Sequence, residues 1–161
     1  MAVDIFMKID DVKGESADDK HKGEIDVLAW KFGGQQSGTS QVGTGGGSGK
    51  VQIQDLEFTK NVDRSSPVLL SSLCTGSHFK VALLTVRKAG GKAPVEYLKI
   101  TMTDLIVSKI EHGTEGTANQ HTETVWLNFA TVKFEYTPQN ADGTGGAAIV
   151  AGHNIAANKP L

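Results

Sequence analysis

The residues from Gly43 to Val51, "GTGGGSGKV", are the stretch most like a phosphate-holding loop. A nucleotide-binding loop needs Gly, four residues, Gly, Lys and then Ser or Thr, because amides cradle the phosphates, lysine neutralises them and the hydroxyl holds magnesium. Counting back from Gly49 and Lys50 places Thr44 where the first glycine belongs, and Val51 where the hydroxyl belongs. The dinucleotide pattern fails too, since Ser48 occupies its third glycine position and no helix pattern follows. His21, His78, His112, His121 and His153 have no spacing that sets two on one helical face, so they suggest no metal site. Ser72, Ser77 and Ser108 lack the glycine-flanked elbow of a hydrolase nucleophile. Asp10-Asp11 and Asp18-Asp19 lack calcium-loop spacing and read as a solvated turn. Cys74 falls on the apolar face of a short helix pattern and reads as a packed core thiol. The pattern calls for no catalytic residue, no cofactor and no metal.

The elements that would position any site are strands. Apolar residues alternate at Val3, Ile5, Met7 and Ile9, at Ile25 and Val27, and from Phe79 to Val86. Leu28, Trp30 and Phe32 take the opposite phase of one strand from Glu24 to Phe32, which turns Lys31 toward solvent. The run from Val95 to Ile110 alternates as Leu98, Ile100 and Met102 and then as Leu105 and Val107, with Asp104 at the switch. Val125, Leu127 and Phe129 likewise give way to Val132, Phe134 and Tyr136. Such switches predict bends where a strand passes from one sheet to another. Core packing accounts for Trp30, Trp126, Phe129 and Phe134. A single helix is predicted near residues 63–76, with Ser66 as cap, Pro67 in the first turn and Gly76 at the end.

The expected fold is therefore all-β and mainly antiparallel: a compact barrel or two-sheet sandwich with one short helix and long glycine-rich loops. All 161 residues read as a single domain, with a flexible loop over 33–49 and an extended tail over 138–161 that is ordered only if it docks. A formal charge of -2 without a basic stripe argues against nucleic acid, and no stretch reaches membrane-span length. One cysteine and an N-terminus that starts as a strand suggest a chain made in the cytoplasm without a signal peptide.

The stretch "DIFMKIDDVKGESADDKHKGEIDVLAW" resembles the haemolysin-coregulated proteins, inner-tube subunits of the type VI secretion system. The resemblance continues through "GKVQIQDLEFTKNVDRSSPVLL", "LTVRKAGGKAPVEYLKITMTDLIVS" and "TETVWLNFATVKFEYTPQNADGT". It implies a homohexamer whose rings stack on one another into a hollow tube. It implies as partners a valine-glycine repeat spike protein, a contractile sheath and small effector proteins held in the lumen. It also implies secretion by that route after a cytoplasmic stage.

Two departures stand out within the resemblance. Lys31 occupies a place where a small polar residue is common, and His153 stands where the family usually has a tryptophan. The expected ring-stacking residues are Ser48, Ala89, Gly90 and Gly91, on the glycine-rich loop and the turn within "RKAGGK". Lys31 is expected in the lumen, where six copies would favour acidic cargo, or else on the outer wall as a solubilising charge. A monomeric β-sandwich module binding ligand or carbohydrate is the competing reading. It would need aromatic platforms and a concave pocket, and only 6% of the chain is aromatic.

Overall fold

The alternation that begins at Val3 becomes strand β1 (Val3–Ile9), which buries Met7 and Ile9. The computed structural model describes residues 3–38, 50–88, 93–114 and 120–161. Its strands continue with β2 (Ile25–Asp26), β3 (Ala29–Lys31), β4 (Gly34–Gln35), β5 (Gln52–Ile53) and β6 (Leu56–Asn61). After helix α1 (Ser66–Thr75) come β7 (His78–Lys88), β8 (Val95–Gly113), β9 (Thr122–Tyr136), β10 (Ile149–Asn154) and β11 (Lys159–Pro160).

All the pairings are antiparallel, and the main sheet runs β11-β10-β9-β8-β7-β1-β2, with β6 on β9 and β3 on β6. The described residues form no closed barrel, so the open sheet arrangement replaces the barrel alternative.

The two phase switches are real bends. Asp104 has φ 51°, and the β7–β8 ladder passes from Phe79↔Leu105 to Val81↔Thr103 around it. Ile100 and Met102 are buried on one side of the bend, Leu105 and Val107 on the other. At the facing bend, β9 changes partner: its second edge carries β6 over Thr122–Leu127 and β10 over Thr131–Tyr136. Ala130 lies between them and accepts a hydrogen bond from the Ile155 N–H at 2.8 Å. One strand thus belongs to both halves of the fold.

The segment from Glu24 to Phe32 is not one strand. It breaks at Val27 and Leu28, where Val27 N–H donates to Ile5 O at 2.9 Å and Leu28 N–H to Thr59 O at 2.8 Å. The chain leaves β1 there to join β6. Buried Val27 and exposed Leu28 reverse the expected phase at that point, while Trp30 and Phe32 still pack against the core.

Helix α1 packs on β8 through buried Leu69 and half-buried Leu73. Gly76 ends it at φ 66°, a left-handed conformation suited to glycine. Ser66 is the first helical residue, not the cap; Ser65 takes that position without a side-chain bond of its own to the helix. Cys74 is exposed, because the buried stripe runs through Ser66, Leu69 and Ser72.

The glycine-rich loop opens as a small ladder, with β4 on β5 and Gln35 Nε2 donating to Gln52 Oε1 at 2.8 Å. Residues 39–49 lie outside the described residues. The tail does dock: β10 adds to β9, and β11 folds back on β10.

Candidate functional site: an assembly surface and two charged clusters

The sheet face that builds the core does not stop where the core stops. Leu98, Tyr136 and Ile149 lie in register across β8, β9 and β10, as do Ile100, Phe134 and Ala151. Ile100 is fully buried and Leu98 is 9% exposed, whereas Phe134, Tyr136 and Ile149 are 38%, 43% and 67% exposed. An apolar surface therefore runs from the core out into solvent. Core packing does not explain Phe134, contrary to expectation. Val150, on the other face, and Leu161 add to the exposed apolar area at this end. Among the described residues nothing pairs with the outer edge of β10 over Ile149–Ala151. An open strand edge beside exposed apolar side chains is a surface suited to association.

Lys31 lies at the end of β3, opposite Glu57 in register, and is exposed. With Ala29, Trp30, Glu57 and Thr59 it lines a shallow cavity of about 220 Å³. The four expected stacking residues, Ser48, Ala89, Gly90 and Gly91, lie outside the described residues, so the structure does not join them to Lys31 or to the apolar surface. His153 is half-buried on β10, with its backbone paired to Val132.

A first charged cluster matches none of the motifs considered in the sequence. Lys60 Nζ donates to Asp63 Oδ1 at 2.9 Å, Ser66 Oγ at 3.1 Å and Asn61 O at 3.0 Å, and pairs with Glu123. Ser66 Oγ donates to Glu123 Oε1 at 2.7 Å, which ties the start of α1 to β9. His112 Nε2 lies 2.7 Å from Glu123 Oε2 at the half-exposed end of the cluster. The signal was available: Lys60 shares the apolar phase of Leu56 and Phe58, and Glu123 that of Val125 and Leu127.

The second cluster fastens the Asp10–Glu24 segment to the sheet. Arg87 donates to both oxygens of Asp18, at 3.0 and 2.6 Å, and to Asp4 Oδ2 at 2.9 Å. Those bonds from Arg87, helped by the backbone N–H groups of Lys20 and His21, hold the Asp18 pKa down to about 2 despite some desolvation. Asp18 is thus an ion-pair partner, not part of a solvated turn. His21 is buried against Phe6, its ring stacked at 4.2 Å and 9°.

A family model described as "Type VI secretion system effector, Hcp" matches residues 6–136. This chain belongs to the Hcp family. It is 52% identical to protein hcp1 of Pseudomonas aeruginosa over 159 residues, which cover 98% of each chain. Its fold is similar to that of Hcp1 from Salmonella typhimurium, with a TM-score of 0.83, 44% identity and full coverage of both chains. It is also similar to a solved type six secretion system protein, with a TM-score of 0.91 and 32% identity over 99% of this chain and 100% of that one. As an Hcp family member the chain is a component of type VI secretion. Among the described residues no helix is long and apolar enough to cross a membrane.

Proposed function

We propose that this chain is a structural subunit of the type VI inner tube, not an enzyme. Six copies close into a ring, rings stack into a tube, and the tube leaves the cell with a valine-glycine repeat spike protein at its tip, driven by a contractile sheath. The chain waits in the cytoplasm before firing and is then secreted by this route. Small effectors travel in the lumen.

The observation that carries the ring is the uncovered sheet end at Phe134, Tyr136 and Ile149 beside the edge of β10 over Ile149–Ala151, which is unpaired among the described residues. A second copy with a different complementary face would cover it, and head-to-tail contacts of that kind generate rings when the rotation closes. Light scattering should give six times the 17.1 kDa chain mass. A monomer mass across a wide concentration range, as expected of a ligand-binding module, would overturn the reading.

Stacking is assigned to the loops that hold Ser48 and Ala89, Gly90 and Gly91. Cysteines placed at Gly90 and Ser48 should cross-link rings into tubes on oxidation, and single rings alone in a secretion-competent strain would reject this assignment. Lys31 is assigned to the lumen wall, where its charge selects acidic cargo.

A further inference from the structure

The Asp10–Glu24 segment leaves β1, turns back on itself and rejoins the sheet at β2. Its arms are bound together: Gly14 N–H donates to Gly23 O at 2.8 Å, Gly23 N–H to Ser16 O at 2.9 Å and Ser16 N–H to Glu24 O at 3.0 Å. The approach is close enough that a Cβ at Gly14 would lie 2.4 Å from the Glu24 carbonyl oxygen.

His21 is 7% exposed and makes two side-chain contacts that no single neutral tautomer can satisfy as hydrogen bonds. Nδ1 lies 2.8 Å from Glu24 Oε2, and Nε2 lies 2.8 Å from Glu96 Oε1. A neutral imidazole has one N–H and one lone pair, while the imidazolium has two N–H groups. Only the imidazolium donates to both carboxylates. The ring also lies flat on Phe6, so it joins three elements: its own segment, β1 and β8.

We propose that His21 is a proton-operated clasp. Doubly protonated, the ring ties Glu24 to Glu96 and holds the Asp10–Glu24 segment down over Phe6. Loss of one proton turns a donor into a lone pair facing a carboxylate, one arm lets go, and the segment loosens as pH rises.

The surrounding charges fix the direction. From its own segment His21 meets Glu24 and Asp18, whose Oδ1 accepts the His21 backbone N–H at 3.2 Å. From β1 come Phe6 and Asp4, from β7 Arg87, which lies 5.0 Å from the Phe6 ring centroid, and from β8 Glu96 with Lys99 at 3.1 Å. Burial alone would raise the Glu96 pKa, but hydrogen bonds from Lys99 and His21 outweigh it and leave it lowered. Glu96 is therefore already charged where imidazoles titrate. Asp18 and Arg87 keep their charges through the same range, so the segment stays tethered at Asp18 and the opening is local. Acid acts on other groups: it neutralises Asp18 and Glu96, whose carboxyls are both held below their ordinary values.

The test uses the full chain in its native assembly, with hydrogen exchange read by mass spectrometry between about pH 5 and pH 9. Exchange at the histidine C2–H reports the protonation of His21, and peptides covering Gly14 to Gly23 report the segment. Segment protection, corrected for intrinsic rates, should fall about tenfold across the step in which His21 deprotonates, while peptides around Ile100 and Met102 stay unchanged. His21→Gln should be weakly protected throughout, with no step. Glu96→Gln, which keeps the ring but removes one anion, should move the step to lower pH. Constant protection through the titration of His21, a step that persists in His21→Gln, or one that stays at the same pH in Glu96→Gln would each overturn the proposal.

Discussion

Lys60 and Glu123 are a register pair of the β6–β9 ladder, and neither side chain reaches solvent. Two opposite charges removed from water are tolerated only because each also has polar company: Asp63 and Ser66 for the lysine, Ser66 for the glutamate. Removing one partner leaves the other charge buried without its nearest counter-ion. Lys60→Met or Glu123→Leu alone should lower stability by as much as about 3–5 kcal/mol, the cost of an uncompensated buried charge, because Asp63 still faces Lys60 and His112 still faces Glu123. The double variant should be more stable than the sum of the two losses predicts. Urea unfolding at one fixed protein concentration measures all four proteins, and additive losses would mean that the pair is not coupled.

The Asp18 carboxyl lies below its ordinary 3.8, at about 2, because Arg87 donates to both of its oxygens. A folded-state pKa below the unfolded one means that the contribution to stability is present above about pH 4 and is lost as pH falls toward 2. Asp18→Asn should therefore be less stable than the parent at neutral pH and should lose less on acidification between those values. Denaturation midpoints taken at intervals across that range give the comparison, and parallel acid profiles would count against the ion pair.

Ile149 is 67% exposed and stands beside Tyr136 on the uncovered end of the sheet. Ile149→Asp should leave the fold intact, because the side chain is outside the core, and should shift the solution mass from six chains toward one. Mass photometry at micromolar and nanomolar concentrations reads the change. Rings of unaltered mass and stability would place the ring contact elsewhere on the chain.

Lys31→Glu should form rings as the parent does, since the side chain is exposed. The yield of a co-expressed cognate effector should fall, and added salt should weaken binding in the parent more than in the variant. Equal effector levels alongside intact rings and secretion would assign Lys31 to the outer wall.

The strands were legible because burial imposes a period of two. Leu98, Ile100 and Met102 followed by Leu105 and Val107 announce the bend at Asp104 from the sequence alone. What the pattern could not announce is where a face runs out of partners. Phe134 and Tyr136 carry the same apolar alternation as Val132, yet only Val132 is buried. The break at Val27 and Leu28 was hidden for a related reason: it is dictated by the acceptors Ile5 O and Thr59 O, which belong to distant strands. Lys60 and Glu123 each looked like an interruption of an apolar phase, and only their pairing across the sheet makes sense of both. Cys74 lies outside the core because the buried stripe is displaced by one residue from the expected face, the difference between Leu69 facing β8 and Leu70 facing water. The exposed apolar end at Phe134, Tyr136 and Ile149 was not legible in the sequence, since exposure is a property of the folded chain.

The divided edge of β9 governs the order in which this chain can become itself. Thr59 waits for Thr124, 65 residues further on, and β10 must wait for β9 before it can add to the sheet. A chain emerging from the ribosome therefore holds the edge of β6 that faces β9 unpaired until most of its length has been made, although β3 can already cover the other edge. Long-range pairings of this kind slow folding and leave strand edges open to neighbouring chains in the meantime. The late arrival of β9 makes the interval between synthesis of β6 and completion of the sheet the time of greatest exposure to wrong partners.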